Sequence, residues 1–285
     1  MVAGDIASDF YFFISLNKII MEKTTKCSFI MMVAIAFALT SCNQPNNQKE
    51  ATAKAVDSTA MKTAAMPMSS FNKALDASKI DPAHYKVIHD SLGIRILEIS
   101  YKPGETSILH AHPDLAMYVI EGGMVEMTAK DGTKSTNELK KGAILVNAGT
   151  EHTPKNVGKT TMKMIMFEID RPRPGDGKMP AFDATMDATK IEPSNYKVMK
   201  DTLGIRVLEI TTKAGLSSKM HAHPDNAVYI IDGGMIEHTS NDGKKMVEND
   251  KSGQSGISGS NEHSPKNIGK TPLKAILVEV QRPRN

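Results

Sequence analysis

The sequence His110-Ala-His-Pro-Asp114, followed by Glu151-His-Thr-Pro-Lys-Asn156, decides the fold of this chain. Both stretches occur a second time, as His221-Ala-His-Pro-Asp225 and Glu262-His-Ser-Pro-Lys-Asn267, and each recurs 111 residues after its first copy. An internal repeat of this length predicts two like domains, since a solenoid needs at least three units.

The repeat extends well beyond these motifs and sets the domain organisation. Residues 71–174 align with residues 182–285 without a gap, and 52 of the 104 positions are identical. The sequence therefore predicts two domains with these bounds, joined by a short linker over residues 175–181 that is rich in Gly and Pro.

Each copy reads as short strands separated by turn signals. Asp131-Gly132 and Asp242-Gly243 are typical hairpin turns, and Gly122-Gly123 marks another tight turn. No stretch shows a sustained helical period, so the sequence predicts an all-β sandwich or barrel in each copy. The strands predicted in copy one are Tyr85–Val87, Ile94–Ser100, Ser107–His110, Met117–Glu121, Met124–Thr128, Ala143–Val146 and Lys163–Ile169.

Six of the nine histidines fall at equivalent places in the two copies. A His-x-His pair on a strand directs both rings to one face, because side chains alternate along a strand. The third histidine of each copy joins that face only through the fold. Three imidazoles that converge in this way predict a binding site for Zn, Fe, Ni, Mn or Cu in which one or more coordination positions of the metal are open. The alternative is that they bind no metal and instead form hydrogen bonds or contact a ligand. The predicted metal ligands are His110, His112 and His152 in copy one, and His221, His223 and His263 in copy two.

The residues around these histidines resemble the two motifs of the cupin superfamily. Gly104-x5-His110-Ala-His112 followed by Gly123 is similar to the first motif, and Gly142 followed by Ala148-Gly-Thr-Glu-His152 is similar to the second. The resemblance covers most of residues 71–285, twice over, as in a bicupin. It implies two tandem cupin-type β-barrels of the jelly-roll kind, with the metal inside each barrel mouth.

The chain departs from the cupin pattern at one ligand position. The first motif normally has a Glu four residues after its second His, and here that position is Ala116 in copy one and Ala227 in copy two. The three-His-plus-Glu site of oxalate-cleaving cupins therefore does not transfer. Asp114 and Asp225 are less favoured replacement ligands, because the preceding prolines turn the chain, and water is the expected occupant.

The second copy departs further from the first over residues 252–261. This stretch contains four Ser and three Gly, whereas its counterpart holds the apolar segment Ala143-Ile-Leu-Val146. Such a composition lowers strand propensity and removes core contacts. We expect copy one to hold the better-formed site.

Five further residues near the motifs are expected to be structural. Tyr118 and Tyr229 follow the first motif on an apolar strand and are predicted to pack in the core. Three histidines lack a histidine counterpart in the other copy and are predicted to be surface residues or incidental to function: His84, His89 and His238.

The N-terminal region resembles a bacterial lipoprotein signal. Lys23 and Lys26 precede the uncharged run Phe29–Leu39, which is too short to span a membrane as a helix. It ends in Leu39-Thr-Ser-Cys42, which is similar to a lipobox, so Cys42 is the predicted lipidation site. The alternative is an ordinary secretory signal with an incidental Cys. Residues 1–41 are then a leader, in which Met21 is a second candidate translation start after residues 1–20. Residues 42–70 are a flexible tether.

The amino-acid composition limits the classes of partner that this protein is expected to bind. The net charge is only +3 and there is no Trp, which excludes a nucleic-acid binder. We expect a small-molecule ligand or substrate, membrane contact through the lipid anchor only, and a location at the bacterial cell envelope, on the periplasmic or outer-membrane face; a homo-oligomer stays open.

Two functions fit this sequence. One is a metal-dependent enzyme of the oxygenase or isomerase type, which acts on a small organic molecule. The other is a non-catalytic module that binds a small ligand or a metal. The retained histidines favour the first, whereas the missing Glu and the altered second copy favour the second.

Overall fold

The computed structural model describes residues 71–173 and 182–284, and the regular secondary structure of both ranges is almost entirely β-strand. The predicted fold class, all-β with two tandem jelly rolls, is confirmed. The predictions for the leader, the tether with Cys42 and the linker lie outside the described residues.

The first barrel consists of a five-stranded and a four-stranded antiparallel sheet. The sheet orders are β1-β2-β9-β4-β7 and β3-β8-β5-β6. The predicted strand Ser107–His110 is wrong at both ends, since the strand there begins at His110. The strands are β1 Tyr85–Ser91, β2 Ile94–Tyr101, β3 His110–His112, β4 Asp114–Glu121, β5 Gly123–Ala129, β6 Lys134–Leu139, β7 Ile144–Asn147, β8 Thr150–Asn156 and β9 Met162–Ile169.

The second barrel repeats this topology, with sheet orders β10-β11-β18-β13-β16 and β12-β17-β14-β15. The Ser- and Gly-rich stretch still forms β16, which pairs with β13 as β7 pairs with β4. The strands are β10 Tyr196–Thr202, β11 Ile205–Thr212, β12 His221–His223, β13 Asn226–Asp232, β14 Gly234–Ser240, β15 Lys245–Asp250, β16 Ser255–Ser258, β17 Asn261–Asn267 and β18 Leu273–Val280.

The helical structure of the described ranges is limited to short segments that precede each barrel. A 3₁₀ turn covers Lys73–Leu75, α1 covers Ala77–Ile80 and α2 covers Ala188–Ile191. The carboxylates of Asp76 and Asp187 accept backbone N–H bonds at the start of α1 and α2, which satisfies donors that a helix leaves free. Within the described ranges, no helix has the length and apolar character needed to cross a membrane.

The central strands of the five-stranded sheets, such as β9 and β18, are buried on both faces. Residues on the inward face of the first sheet, such as Leu97 and Met164, form the core of barrel 1. Residues on the outward face, such as Ile96 and Phe167, join their counterparts from barrel 2 in one shared core. As predicted, Tyr118 and Tyr229 are core residues; their ring centroids lie 5.9 Å apart across this interface. The two barrels therefore fold around a common apolar layer.

Reciprocal ion pairs add a polar link between the barrels. Arg282 of the second repeat donates to the carboxylate of Asp114 at 2.7 Å, and Arg171 of the first repeat lies 2.9 Å from the carboxylate of Asp225. The side chains of both pairs are fully buried. Each carboxylate is also bonded by an arginine of its own repeat, Arg173 or Arg284. Asp114 and Asp225 therefore serve the barrel interface and are not metal ligands.

Candidate metal centres

In barrel 1 the three predicted histidines meet. His110 and His112 project from the same face of β3, and His152 lies opposite His110 in the register of β8. One nitrogen from each ring lies within 4.8 Å of the others, and the side chains of the β3 pair are buried. This spacing allows three imidazoles to bind one ion.

Barrel 2 forms the same arrangement. His221 lies opposite His263 in the register of β12 and β17, and the ring nitrogens of these two and His223 also lie within 4.8 Å of one another. The second triad therefore keeps the geometry of the first, although residues 252–261 have diverged.

The triads present nitrogen lone pairs that have no protein partner. The Nε2 atoms of His112, His221 and His263 are buried and lack a hydrogen-bond partner among the described residues. Buried polar atoms are normally paired, so such nitrogens indicate a ligand. Neutral imidazole is the form that binds Zn, Fe, Ni and Cu, and the donor set therefore fits a divalent transition metal.

Burial keeps four of the six imidazole rings neutral. Loss of solvation, followed by the charge of neighbouring histidines, lowers the pKa of His110 to about 4 and that of His152 to about 3. The same causes lower the pKa of His221 to about 4 and that of His263 to about 2. At neutral pH each of these four rings is therefore uncharged, with one ring nitrogen that carries no proton and can bind a metal.

A buried carboxylate orients one histidine of each triad. Glu168 of β9 accepts a hydrogen bond from Nδ1 of His112 at 2.6 Å, and Glu279 of β18 accepts one from Nδ1 of His223 at 2.8 Å. With the proton on Nδ1, the lone pair of Nε2 faces the centre of the triad. Arg95 donates to the second oxygen of Glu168 at 2.7 Å, which fixes the position of the carboxylate.

The two triads differ at one tyrosine. In barrel 1 the hydroxyl of Tyr85 lies 2.9 Å from Nε2 of His110 and accepts a bond from the hydroxyl of Tyr101. In barrel 2 the equivalent Tyr196 forms no hydrogen bond with a described residue, because Thr212 replaces the second tyrosine. Among the described residues, the triad of barrel 2 therefore has no hydrogen bond to a tyrosine, whereas Nε2 of His110 in barrel 1 is bonded to the hydroxyl of Tyr85.

Two of the three remaining histidines are partly buried and do not lie freely on the surface. His238 lies in the cavity wall of barrel 2 and stacks on His263, with 5.2 Å between ring centroids. His84 is only 17% exposed, bonds to Asp81 and stacks on Tyr101. His89 is exposed, as predicted.

Replacement of Glu168 by Gln tests the positioning role. An amide of the same shape removes the charge that holds the proton on Nδ1 of His112, and we expect the zinc affinity of barrel 1 to fall by about 10- to 100-fold. Competition titration with a chelating dye measures this effect. The matched variant Glu98→Gln, at a carboxylate on β2 that pairs only with Lys86, should leave the affinity unchanged. Equal affinities for all three proteins would contradict the role.

The described residues form two tandem jelly rolls, each with a histidine triad. Residues 97–168 match the family model described as a cupin domain. AerE from Microcystis aeruginosa shares the fold, with a TM-score of 0.51 and 16% identity over 69% of this chain and 91% of that protein.

Two further solved structures are similar in part. An oxalate decarboxylase variant from Bacillus subtilis matches with a TM-score of 0.45 and 15% identity, over 68% of this chain and 70% of its own. A cupin domain from Bordetella pertussis matches with a TM-score of 0.28 and 23% identity, over 30% of this chain and 90% of its own. Among curated proteins, nothing matches this chain.

Proposed function

We propose that this chain is an envelope-tethered bicupin that binds a divalent transition metal through three histidines in each barrel and acts on a small organic molecule. The observation that carries the proposal is the convergence of three histidine nitrogens in each barrel, with buried Nε2 atoms that lack a partner at His112 in barrel 1 and at His221 and His263 in barrel 2. His110, His112 and His152 would hold one ion, and His221, His223 and His263 the other. Tethering rests on the lipobox-like sequence that ends in Cys42.

A bound metal with open positions would supply Lewis-acid or O₂-activating chemistry, which fits oxygenase or isomerase reactions. The protein contributes the arrangement around it. Glu168 and Glu279 orient the imidazoles, and a cavity adjoins each triad, lined in barrel 1 by His152 and in barrel 2 by His223 and His263. A substrate in either cavity would lie next to the metal and away from bulk water.

The second candidate function is a non-catalytic binding module, and one observation favours it for barrel 1. The hydroxyl of Tyr85 already occupies Nε2 of His110, so barrel 1 satisfies part of its triad internally. The cavity there is also lined mainly by methionine and aliphatic side chains, which offer few groups for acid–base chemistry.

Metal counting tests the proposal. Protein covering residues 43–285 is stripped with a chelator, incubated with zinc and desalted, and its zinc content is measured by elemental analysis. We expect about two zinc ions per chain, about one after His112→Ala or His223→Ala, and none in the double variant.

The exposed His89→Ala variant is the control and should retain the wild-type zinc content. Zinc-free wild-type protein, or a double variant that retains all the zinc, would contradict the proposal. Loss of zinc in only one single variant would assign the metal to that barrel.

A further inference from the structure

The barrels enclose cavities of different size and character. The cavity beside the triad is about 350 Å³ in barrel 1 and about 770 Å³ in barrel 2. Smaller side chains at equivalent positions of the wall account for much of the difference. These pairs are Tyr101 and Thr212, Met117 and Val228, and Met164 and Ala275.

Three apolar positions of the barrel 1 wall are polar in barrel 2. They are Leu115, replaced by Asn226; Met127, replaced by His238; and Leu139, replaced by Asp250. Apolar side chains in the wall pack well against the core, so polar residues at these three positions weaken the apolar core of barrel 2. Its buried apolar residues form two small clusters, whereas barrel 1 has one large cluster. Polar groups that reduce packing indicate a binding surface.

Three deeply buried side chains of this wall have polar atoms without a partner. The hydroxyls of Tyr196 and Thr212 and the amide oxygen of Asn226 accept or donate no hydrogen bond among the described residues. These residues are only 3%, 3% and 6% exposed. The amide nitrogen of Asn226 is bonded to the carbonyl of Pro224, which fixes this side chain in the cavity lining. Such groups are suited to hydroxyl groups of a ligand.

The wall also carries uncompensated negative charge. The carboxylate of Asp250 accepts no hydrogen bond from any described residue. The nearest basic group to the carboxylate of Glu248 is the ring of His238, at 3.7 Å. Burial, together with the charge of Glu248, raises the pKa of Asp250 above its ordinary value. The two lysines of the wall do not neutralise these carboxylates, because Lys244 pairs with Asp242 and Lys245 with Glu237.

Barrel 1 has no such charge at the same positions. Leu139 and Asn137 stand where barrel 2 has Asp250 and Glu248. The rim carboxylate Glu262 has a counterpart, Glu151, and so does not distinguish the two cavities. The excess negative charge belongs to barrel 2 alone.

We propose that the cavity of barrel 2 binds a hydroxylated organic cation, a small amine that carries several hydroxyl groups. Its ammonium group pairs with Asp250 and Glu248, and its hydroxyl groups bond to Thr212, Asn226 and Tyr196. This inference deepens the proposed function, because His223 and His263 line the same cavity, but the cation site itself needs no metal.

The probes that test this inference are glucosamine and glucose, which differ by an ammonium in place of one hydroxyl. Binding is measured by calorimetry on metal-free protein, so that amine–metal coordination plays no part, and is then repeated on zinc-loaded protein. We expect glucosamine to bind at least about tenfold more tightly than glucose, since a charge-assisted bond replaces a neutral one.

The variant Asp250→Leu, which installs the barrel 1 residue, should remove the preference for glucosamine, and the closer mimic Asp250→Asn should do the same. The control Asp201→Asn, at an exposed carboxylate of β10, should keep it. Equal binding of the two sugars, no binding of glucosamine, or a preference that survives both Asp250 variants would overturn the inference. Zinc content is measured on the same samples, so a failure of metal binding is seen separately.

Discussion

The Asp114→Asn variant is expected to lose about 3–5 kcal/mol of unfolding free energy. The carboxylate of Asp114 is fully buried and accepts bonds from Arg173 and Arg282, at 2.7 Å in each case. The neutral amide leaves the buried Arg282 guanidinium without its counter-charge. Because this arginine comes from the other repeat, the loss should affect both barrels together. Urea denaturation followed by circular dichroism measures it.

The exposed Asp90→Asn variant is the control and should change the free energy of unfolding by less than about 0.5 kcal/mol. The mirror variant Asp225→Asn should resemble Asp114→Asn, because Asp225 is bonded by Arg171 and Arg284. An Asp114→Asn protein as stable as wild type, or one in which only barrel 1 unfolds early, would contradict the reciprocal bridge.

Acid is expected to destabilise the metal-free protein strongly between pH 7 and pH 5. The pKa values of His110 and His221 are lowered to about 4, that of His152 to about 3 and that of His263 to about 2. The unfolded chain protonates these four histidines below about pH 6.5 and the folded protein does not, so stability falls as the pH falls through this window. The loss is about 2 kcal/mol for each histidine and on the order of 7 kcal/mol for the four.

Urea midpoints at pH 7 and pH 5 measure this loss. The buried aspartates do not contribute, since their pKa values lie below the ordinary 3.8 and their stabilisation is lost only under more acidic conditions. The His152→Asn variant should show a pH dependence smaller by about 2 kcal/mol, whereas His89→Asn should match wild type. A midpoint that does not move between pH 7 and pH 5 would show that the triads are not buried as neutral rings.

The repeat and the alternating strands were sufficient to predict the fold class, because the motifs recur at a constant offset. The pairing of the barrels was not predicted. Its signal lies in β9, where Met162–Ile169 holds apolar residues at nearly every position and so has both faces to bury. Single-strand patterns do not say what covers the second face. Arg171 and Arg282, which follow β9 and β18, gave no sequence signal of their buried ion pairs.

The six histidines were recognisable because their spacing places them on one face of each barrel. The carboxylates behind them were missed. Glu168 and Glu279 are the single acidic residues of largely apolar strands, at the same position of both copies, and a carboxylate in such a strand indicates a buried partner. The partner could not be identified, since 56 residues separate Glu168 from His112.

The structure shows that divergence of the second copy has not removed its histidine triad. The Ser- and Gly-rich stretch predicted fewer core contacts, and barrel 2 does have smaller apolar clusters. Its triad, however, is intact and forms no hydrogen bond to a tyrosine among the described residues. Smaller side chains on other strands, such as Thr212 and Ala275, enlarge the cavity, and sequence composition alone does not distinguish this change from the decay of a core.

X-ray absorption at the zinc edge tests the central claim most directly. On zinc-loaded protein, the account predicts a shell of three imidazole nitrogens at about 2.0–2.1 Å, with the remaining position or positions filled by oxygen from solvent. The imidazole contribution should disappear in the His112→Ala, His223→Ala double variant. A shell without imidazole scattering, one that contains methionine sulfur, or a spectrum unchanged in the double variant would contradict metal binding by the histidine triads.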